Sequence, residues 1–191
     1  MEIRSFLAFE LPGEMKEILF RVSGKMKGFG LDVRWVRVDN IHLTVIFIGN
    51  ISTDRLNSMD RIVTNVCVEF KPFDIALKGA GVFSGRHNPR VLWIGLAGDT
   101  ERLATFRDRL QDALAPLGIK KEKRRFRPHL TLGRFRKGAT GGMRLNRLLE
   151  TCKNLSSPVH SVGELVLFRS ELTPGGAVYT RLNAWPLTGE N

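Results

Sequence analysis

Cysteine is nearly absent: the chain has two in 191 residues, Cys67 and Cys152. That count excludes a disulfide framework and a cysteine-built zinc site. Both thiols fall on apolar helical stripes, one with Met59, Val63, Val66 and Phe70, the other with Leu145, Leu148 and Leu149. Buried free thiols in a reducing compartment are expected there. Long apolar runs are also missing, and none approaches the roughly 20 residues of a spanning helix. The N-terminal stretch MEIRSFLAFEL carries Glu2 and Glu10 and only a short apolar run, which reads as neither a signal peptide nor a transit peptide. The expected location is the cytoplasm, with no membrane contact. Acidic residues are scarce beside basic ones, 19 against 30, for a net charge of +11. That surplus favours polyanionic partners, nucleic acid before an anionic membrane. An apolar content of 42% excludes a disordered chain, and 191 residues suit one domain covering 1–191, built of two intertwined lobes.

Four stretches have helical periodicity. The first runs from Gly13 to Lys27, with Met15, Ile18, Leu19, Val22 and Met26 on one face and Gly28 and Gly30 after it. The second covers about Asp54 to Phe70. The third starts at Asp99 or Thr100 as N-cap, carries Leu103, Phe106, Leu110, Leu114 and Leu117, and stops at Gly118. The fourth, Met143 to Cys152, is shorter and follows a glycine-rich loop, Gly138 to Gly142. Strand-like runs lie between them at Ser5–Phe9, Val33–Val36, Leu43–Ile48, Phe73–Leu77, Val91–Leu96, Leu130–Phe135, Glu164–Phe168 and Ala177–Trp185. Thr173-Pro174-Gly175-Gly176 predicts a hairpin between the last two. Strands and helices do not alternate strictly, so the class is α+β.

The tripeptide His-Leu-Thr occurs twice, at His42-Leu43-Thr44 and His129-Leu130-Thr131, 87 residues apart, with Val45 or Leu132 next. This echo predicts two related lobes, each contributing one equivalent strand. Side chains alternate along a strand. The leucines can therefore enter a core while histidine and threonine face the other way together. With pseudo-two-fold packing, two His-Thr pairs face each other across a cleft. One imidazole can act as general base while the other acts as general acid, and the hydroxyls can donate to an oxyanion between them. A phosphodiester fits that slot. His42, His87, His129 and His160 show no metal-ligand spacing, and no carboxylate cluster accompanies them, so no metal or cofactor is implied.

The second motif lies in the most basic segment, Lys120 to Lys137, with nine basic residues and one acid, Glu122. A charge run is ordinarily a solvated face. Arg127 shares strand parity with His129 and can reach the same cleft. Arg134 has the opposite parity and enters only if Gly133 permits a bulge. For stacking on a nucleobase, Phe83 and Phe126 are the candidates, whereas Trp35 and Trp93 lie in strand-like runs and read as core. The loop Ser84–Arg90 offers Arg86 or Arg90 for a phosphate. His87 and His160 receive no role.

The paired motifs resemble the HxTx signature of the 2H phosphoesterase superfamily, and within it the bacterial and archaeal RNA 2′,3′-cyclic phosphodiesterases, also called 2′-5′ RNA ligases. The resemblance runs through RSFLAFELP, VRWVRVDNIHLTVIFIGN, NPRVLWIGL, RPHLTLGRF and ELVLFRSELTPGGAVYTRL, essentially the whole chain. It implies two pseudo-symmetric lobes, each with an antiparallel-rich sheet and flanking helices, around a central basic cleft. It implies hydrolysis of an RNA 2′,3′-cyclic phosphate end to a 2′-phosphomonoester by a monomeric enzyme. The reverse reaction would join tRNA halves through a 2′-5′ bond. It implies His42 as proton donor to the departing 3′ oxygen and His129 as base. Thr44 and Thr131 would hold the phosphate oxygens, with Arg134 beside them. Other readings stay open: a phosphodiesterase on 2′-5′ oligonucleotides or small cyclic nucleotides, or a basic RNA-binding module without turnover. A membrane-surface protein would need a basic amphipathic helix, which the chain lacks.

Overall fold

A computed structural model describes residues 1–190. Nine strands form one mixed-order antiparallel sheet: β1 (Glu2–Glu10), β2 (Val33–Trp35), β3 (His42–Ser52), β4 (Phe73–Phe83), β5 (Val91–Gly98), β6 (His129–Phe135), β7 (His160–Val162), β8 (Glu164–Thr173) and β9 (Gly176–Pro186). Four helices, α1 (Gly13–Lys27), α2 (Leu56–Cys67), α3 (Thr100–Leu114) and α4 (Gly142–Thr151), complete the α+β fold. Their apolar stripes pack on one sheet face in a single core. Met15 and Leu19 of α1, Met59 and Val63 of α2, Phe106 and Leu110 of α3 and Leu148 of α4 join Leu7, Phe9, Leu43, Ile94 and Leu130 of the sheet. Phe9 and Phe73 meet edge to face at 5.7 Å and tie the two ends of the sheet together through that core. Both cysteines are buried and free, and burial pushes the Cys67 thiol up to about 12, so it stays protonated. Among the described residues no helix is long and apolar enough to cross a membrane.

The strand order β7-β4-β5-β6-β3-β1-β8-β9, with β2 added against β6, reads alike from its centre outward. The motif strands β3 and β6 lie in the middle, flanked by β1 and β5, and strand–helix–strand units β1-α1 to β3 and β5-α3 to β6 build the two halves. The halves do not carry separate sheets. Strands β3 and β6 meet at a single registered pair, Leu43 with Leu130, the central residues of the two motifs, and β2 adds a second pairing with β6. On either side of that pair the strands splay and take other partners.

Several boundaries differ from the sequence expectation for local reasons. Strand β4 continues to Phe83 through a register shift between Lys78 and Ala80, where Gly79 has φ +62°. The strand expected to end at Leu77 continues through this bulge. Strand β7 has three residues, too few to show a period. A 3₁₀ turn at Thr53–Arg55 delays α2 until Leu56. Asp99 stands at the N-cap of α3, but its carboxylate accepts the Asp74 N–H at 3.0 Å and pairs with Arg102 instead of capping the helix. Gly118 adopts φ +76° after the 3₁₀ extension Ala115–Leu117 and ends the third helix as expected.

Candidate active site

The Leu43–Leu130 pair determines the geometry of the site. Both leucines are fully buried toward the helices. The neighbouring residues on β3 and β6 therefore point to the opposite face, where His42, Thr44, His129 and Thr131 are all half-buried. His42 and Thr44 flank Leu43 on β3 as His129 and Thr131 flank Leu130 on β6, so all four surround that pair. The four side chains stand side by side on one curled sheet, on adjacent strands, rather than on two sheets facing each other.

Each motif is followed by a bulge at the same place. In β3 the pairing jumps from Ala8–Thr44 to Leu7–Ile46, leaving Val45 extra. In β6 it jumps from Trp93–Thr131 to Leu92–Gly133, leaving Leu132 extra. The alternation restarts after each bulge, so Ile46 and Gly133 face the core while Phe47 and Arg134 join the histidine face. Arg134 thus reaches the site through a bulge one residue earlier than Gly133. The glycine serves another end: a Cβ there would lie 2.3 Å from Val33 Cγ1 and 3.0 Å from the Arg34 carbonyl, so its absence lets β2 pair. That pairing sets Arg34 beside Arg134 on the same face. Arg4 shares the face of Phe6 on β1, and its charge, like that of Arg134, acts on Tyr179. Arg4, Arg34 and Arg134 are exposed and make this face basic.

Both imidazoles are oriented alike. His42 Nδ1 lies 2.8 Å from the Asn40 carbonyl and His129 Nδ1 lies 2.7 Å from the Arg127 carbonyl. A carbonyl only accepts, so Nδ1 carries the proton and Nε2 is left for chemistry. The surroundings differ. His42 stacks on Phe6 at 4.6 Å and meets the Tyr179 edge at 5.2 Å, with Phe168 behind. Burial lowers its pKa from 6.5 to about 4 against the opposing pull of the Asn40 carbonyl. His129 meets the edge of Phe83 at 4.8 Å and has Trp93 at 6.4 Å. Burial lowers its pKa also, and the Arg134 cation adds to that while the Arg127 carbonyl opposes it. The Asn40 side chain does separate work. Its Nδ2 donates to the Ala177 carbonyl at 3.0 Å, tying the β8–β9 hairpin, and Tyr179 with it, over His42.

The other sequence candidates fall in different places. Phe83 stands at His129. Arg127 is exposed at the mouth of β6, and its carbonyl is the His129 anchor. Arg90 is exposed; its main chain bonds Phe83 and Phe135, which anchors the loop end beside the site. Phe126 packs against the main core with the Arg107 guanidinium 5.1 Å over its ring, away from both imidazoles. Trp35 packs on the core, as read. Trp93 does not; it pairs with Thr131 and so shares the histidine face, half-buried against Phe83 at 5.4 Å. A Cβ on Gly81 would come within 2.2 Å of its indole, so the glycine makes room for it. Sequence reading missed Phe6, Phe168, Tyr179, Asn40, Arg4 and Arg34. The even spacing of Arg4, Phe6 and Ala8 is the one local signal that sets them on a common face. Among the described residues no group of three or more His, Cys, Asp or Glu side chains is placed to hold a metal ion.

Residues 32–174 match the family described as the 2′-5′ RNA ligase superfamily. A protein of Methanothermobacter thermautotrophicus named RNA 2′,3′-cyclic phosphodiesterase is 31% identical over 98% of this chain and 100% of its own length. One of the same name from Methanocaldococcus jannaschii is 32% identical over 96% of this chain and 100% of its own. Among solved structures, a Thermus thermophilus protein superposes with a TM-score of 0.81 at 26% identity, covering 99% of this chain and 100% of that one. Escherichia coli LigT in complex with 3′-AMP superposes at 0.78 with 26% identity, covering 98% and 99%. The paired motifs, the sheet that joins them and these relatives together show that the chain belongs to the 2′-5′ RNA ligase superfamily.

Proposed function

We infer that this chain hydrolyses the 2′,3′-cyclic phosphate at an RNA end to a 2′-phosphomonoester. The observation that carries the reading is the registered Leu43–Leu130 pair, which presents two imidazoles of the same tautomer and two hydroxyls on one basic face. The relatives' common name supports the substrate class. The phosphate sits between the histidines, its non-bridging oxygens accepting from Thr44 and Thr131 and neutralised by Arg134. His129 Nε2 takes a proton from water as the oxygen attacks phosphorus. His42 Nε2 gives a proton to the 3′ oxygen as its bond to phosphorus breaks, leaving phosphate on the 2′ oxygen. Burial of His129, with the Arg134 cation adding to it, lowers the pKa of that ring and favours the neutral form a base must have. The entering phosphate anion raises the affinity of His42 for its proton, as a donor requires.

A short RNA ending in a 2′,3′-cyclic phosphate, incubated in EDTA, tests this. Conversion to a terminal 2′-phosphate is expected. An untouched end, or a 3′-phosphate product, would refute the assignment. Asn40→Ala keeps the main-chain carbonyl but unties the hairpin from His42. We expect kcat to fall about tenfold, the factor for 1.4 kcal/mol of lost positioning. Its pH profile should shift upward as water reaches the ring and the His42 pKa returns toward that of an ordinary imidazole. An unchanged pH profile would mean the tie only stabilises the hairpin.

A further inference from the structure

The segment entering the second motif is braced by an uncommon arrangement. Residues 119–128 form neither helix nor strand, and only Ile119 and Phe126 pack into the core. Six cations, Lys120, Lys121, Lys123, Arg124, Arg125 and Arg127, accompany one acid, Glu122. Like charges in such a run repel and ordinarily leave a chain loose. Here two buried side chains of α3 grip its main chain. Arg107, 5% exposed, donates to the Glu122 carbonyl at 3.3 Å and to the Arg124 carbonyl at 3.5 Å, with its guanidinium over Phe126. Gln111, 7% exposed, accepts the Glu122 N–H at 2.7 Å. Asp108 stands 3.2 Å from Arg107 Nε. Arg107 is the one buried lysine or arginine among the described residues, and taking a guanidinium out of water costs several kcal/mol unless it is well paired.

The grip holds carbonyls and an amide and leaves the cationic ends outward. Lys121 pairs with Asp112 and Arg124 with Glu122. Lys120, Lys123, Arg125 and Arg127 are exposed and have no acidic partner among the described residues. The segment runs straight into His129, and Arg134 continues the positive line beyond it.

We propose that this braced segment is a track for the phosphates of the RNA strand leading to the reacting end, so that the enzyme engages several nucleotides and not the terminal one alone. The proposal rests on the cyclic phosphodiesterase reading above. A main chain already held in place loses little freedom when a strand docks, so more of the cations' attraction is kept as affinity. Each phosphate neutralised on a single strand contributes about 0.7 to the slope of log affinity against log salt.

The test compares a nucleoside 2′,3′-cyclic monophosphate with a ten-nucleotide RNA carrying the same end. The wild type should prefer the longer substrate about tenfold or more in kcat/KM, through KM. The triple variant Lys120→Gln, Lys123→Gln, Arg125→Gln should lose most of that preference. Binding of a ten-nucleotide RNA with a 3′-hydroxyl end, which cannot react, should show a salt slope lower by about two in the variant. Equal use of both substrates by the wild type would overturn the track, as would a preference and slope that survive the triple substitution. Failure to hydrolyse either substrate would defeat the phosphodiesterase reading instead, and the salt slope would still decide the track.

Discussion

Replacing either His42 or His129 by asparagine is expected to lower kcat/KM on a cyclic phosphate end by about 10²–10⁴-fold. Asparagine keeps a donor for the Asn40 or Arg127 carbonyl, so the local fold should persist while the Nε2 function is lost. The double variant should be little worse than the poorer single one, because acid and base act in one step and their losses do not multiply. The kcat/KM profile of the wild type should be a bell centred below pH 6.5, since both rings have lowered pKa values in the free protein. The kcat profile should lie at higher pH, because the bound phosphate anion favours the protonated forms. Either single variant retaining more than a tenth of the wild-type rate would end the two-histidine mechanism. A bell centred above pH 7 would contradict the burial of the pair.

The same burial should make folding stability fall in acid. The His42 pKa is 6.5 when unfolded and about 4 when folded. Between those values the unfolded chain binds more protons, so stability rises with pH across the window and is lost as pH drops through it. The loss should reach about 3 kcal/mol below pH 4, with His129 shifting in the same direction. Urea midpoints at pH 7 and pH 4.5 measure it. His42→Phe keeps a ring against Phe6 but cannot take a proton, so its midpoint should change much less between the two pH values. Parallel losses in wild type and variant would place the acid sensitivity elsewhere.

What was legible in the sequence was what period and repetition encode. The two His-Leu-Thr copies yielded their strands and the facing of each residue, because alternation is a local property. The hairpin followed from Thr173-Pro174-Gly175-Gly176, and the helix stripes located α1 to α4. The routing of Arg134 was legible as a condition, a bulge, but its position was not. Strand β3 bulges at Val45 with no glycine nearby, so the bulge belongs to the strand crossing and leaves no residue signature. The wall around His42 was hidden for another reason. Phe6, Phe168 and Tyr179 come from three strands, and each alone reads as a core aromatic. Trp93 was misplaced because an indole in an apolar strand reads as interior, and only the β5–β6 register puts it on the face of Thr131. The burial of Arg107 depends on carbonyl partners from the following segment, which no local pattern encodes.

The positions after the two bulges are equivalent, yet one holds Phe47, 68% exposed, and the other Arg134. A two-fold frame by itself accepts a phosphodiester in two opposite orientations at equal energy. An uncharged ring at one end and a guanidinium at the other would lift that degeneracy for a bound phosphodiester, and about 1.4 kcal/mol between them already biases the choice tenfold. In the proposed reaction this asymmetry would bias which ester oxygen departs, through two side chains that exchange no proton. The repeat presents two like motifs, and the residues that depart from it make the two ends of the face unlike.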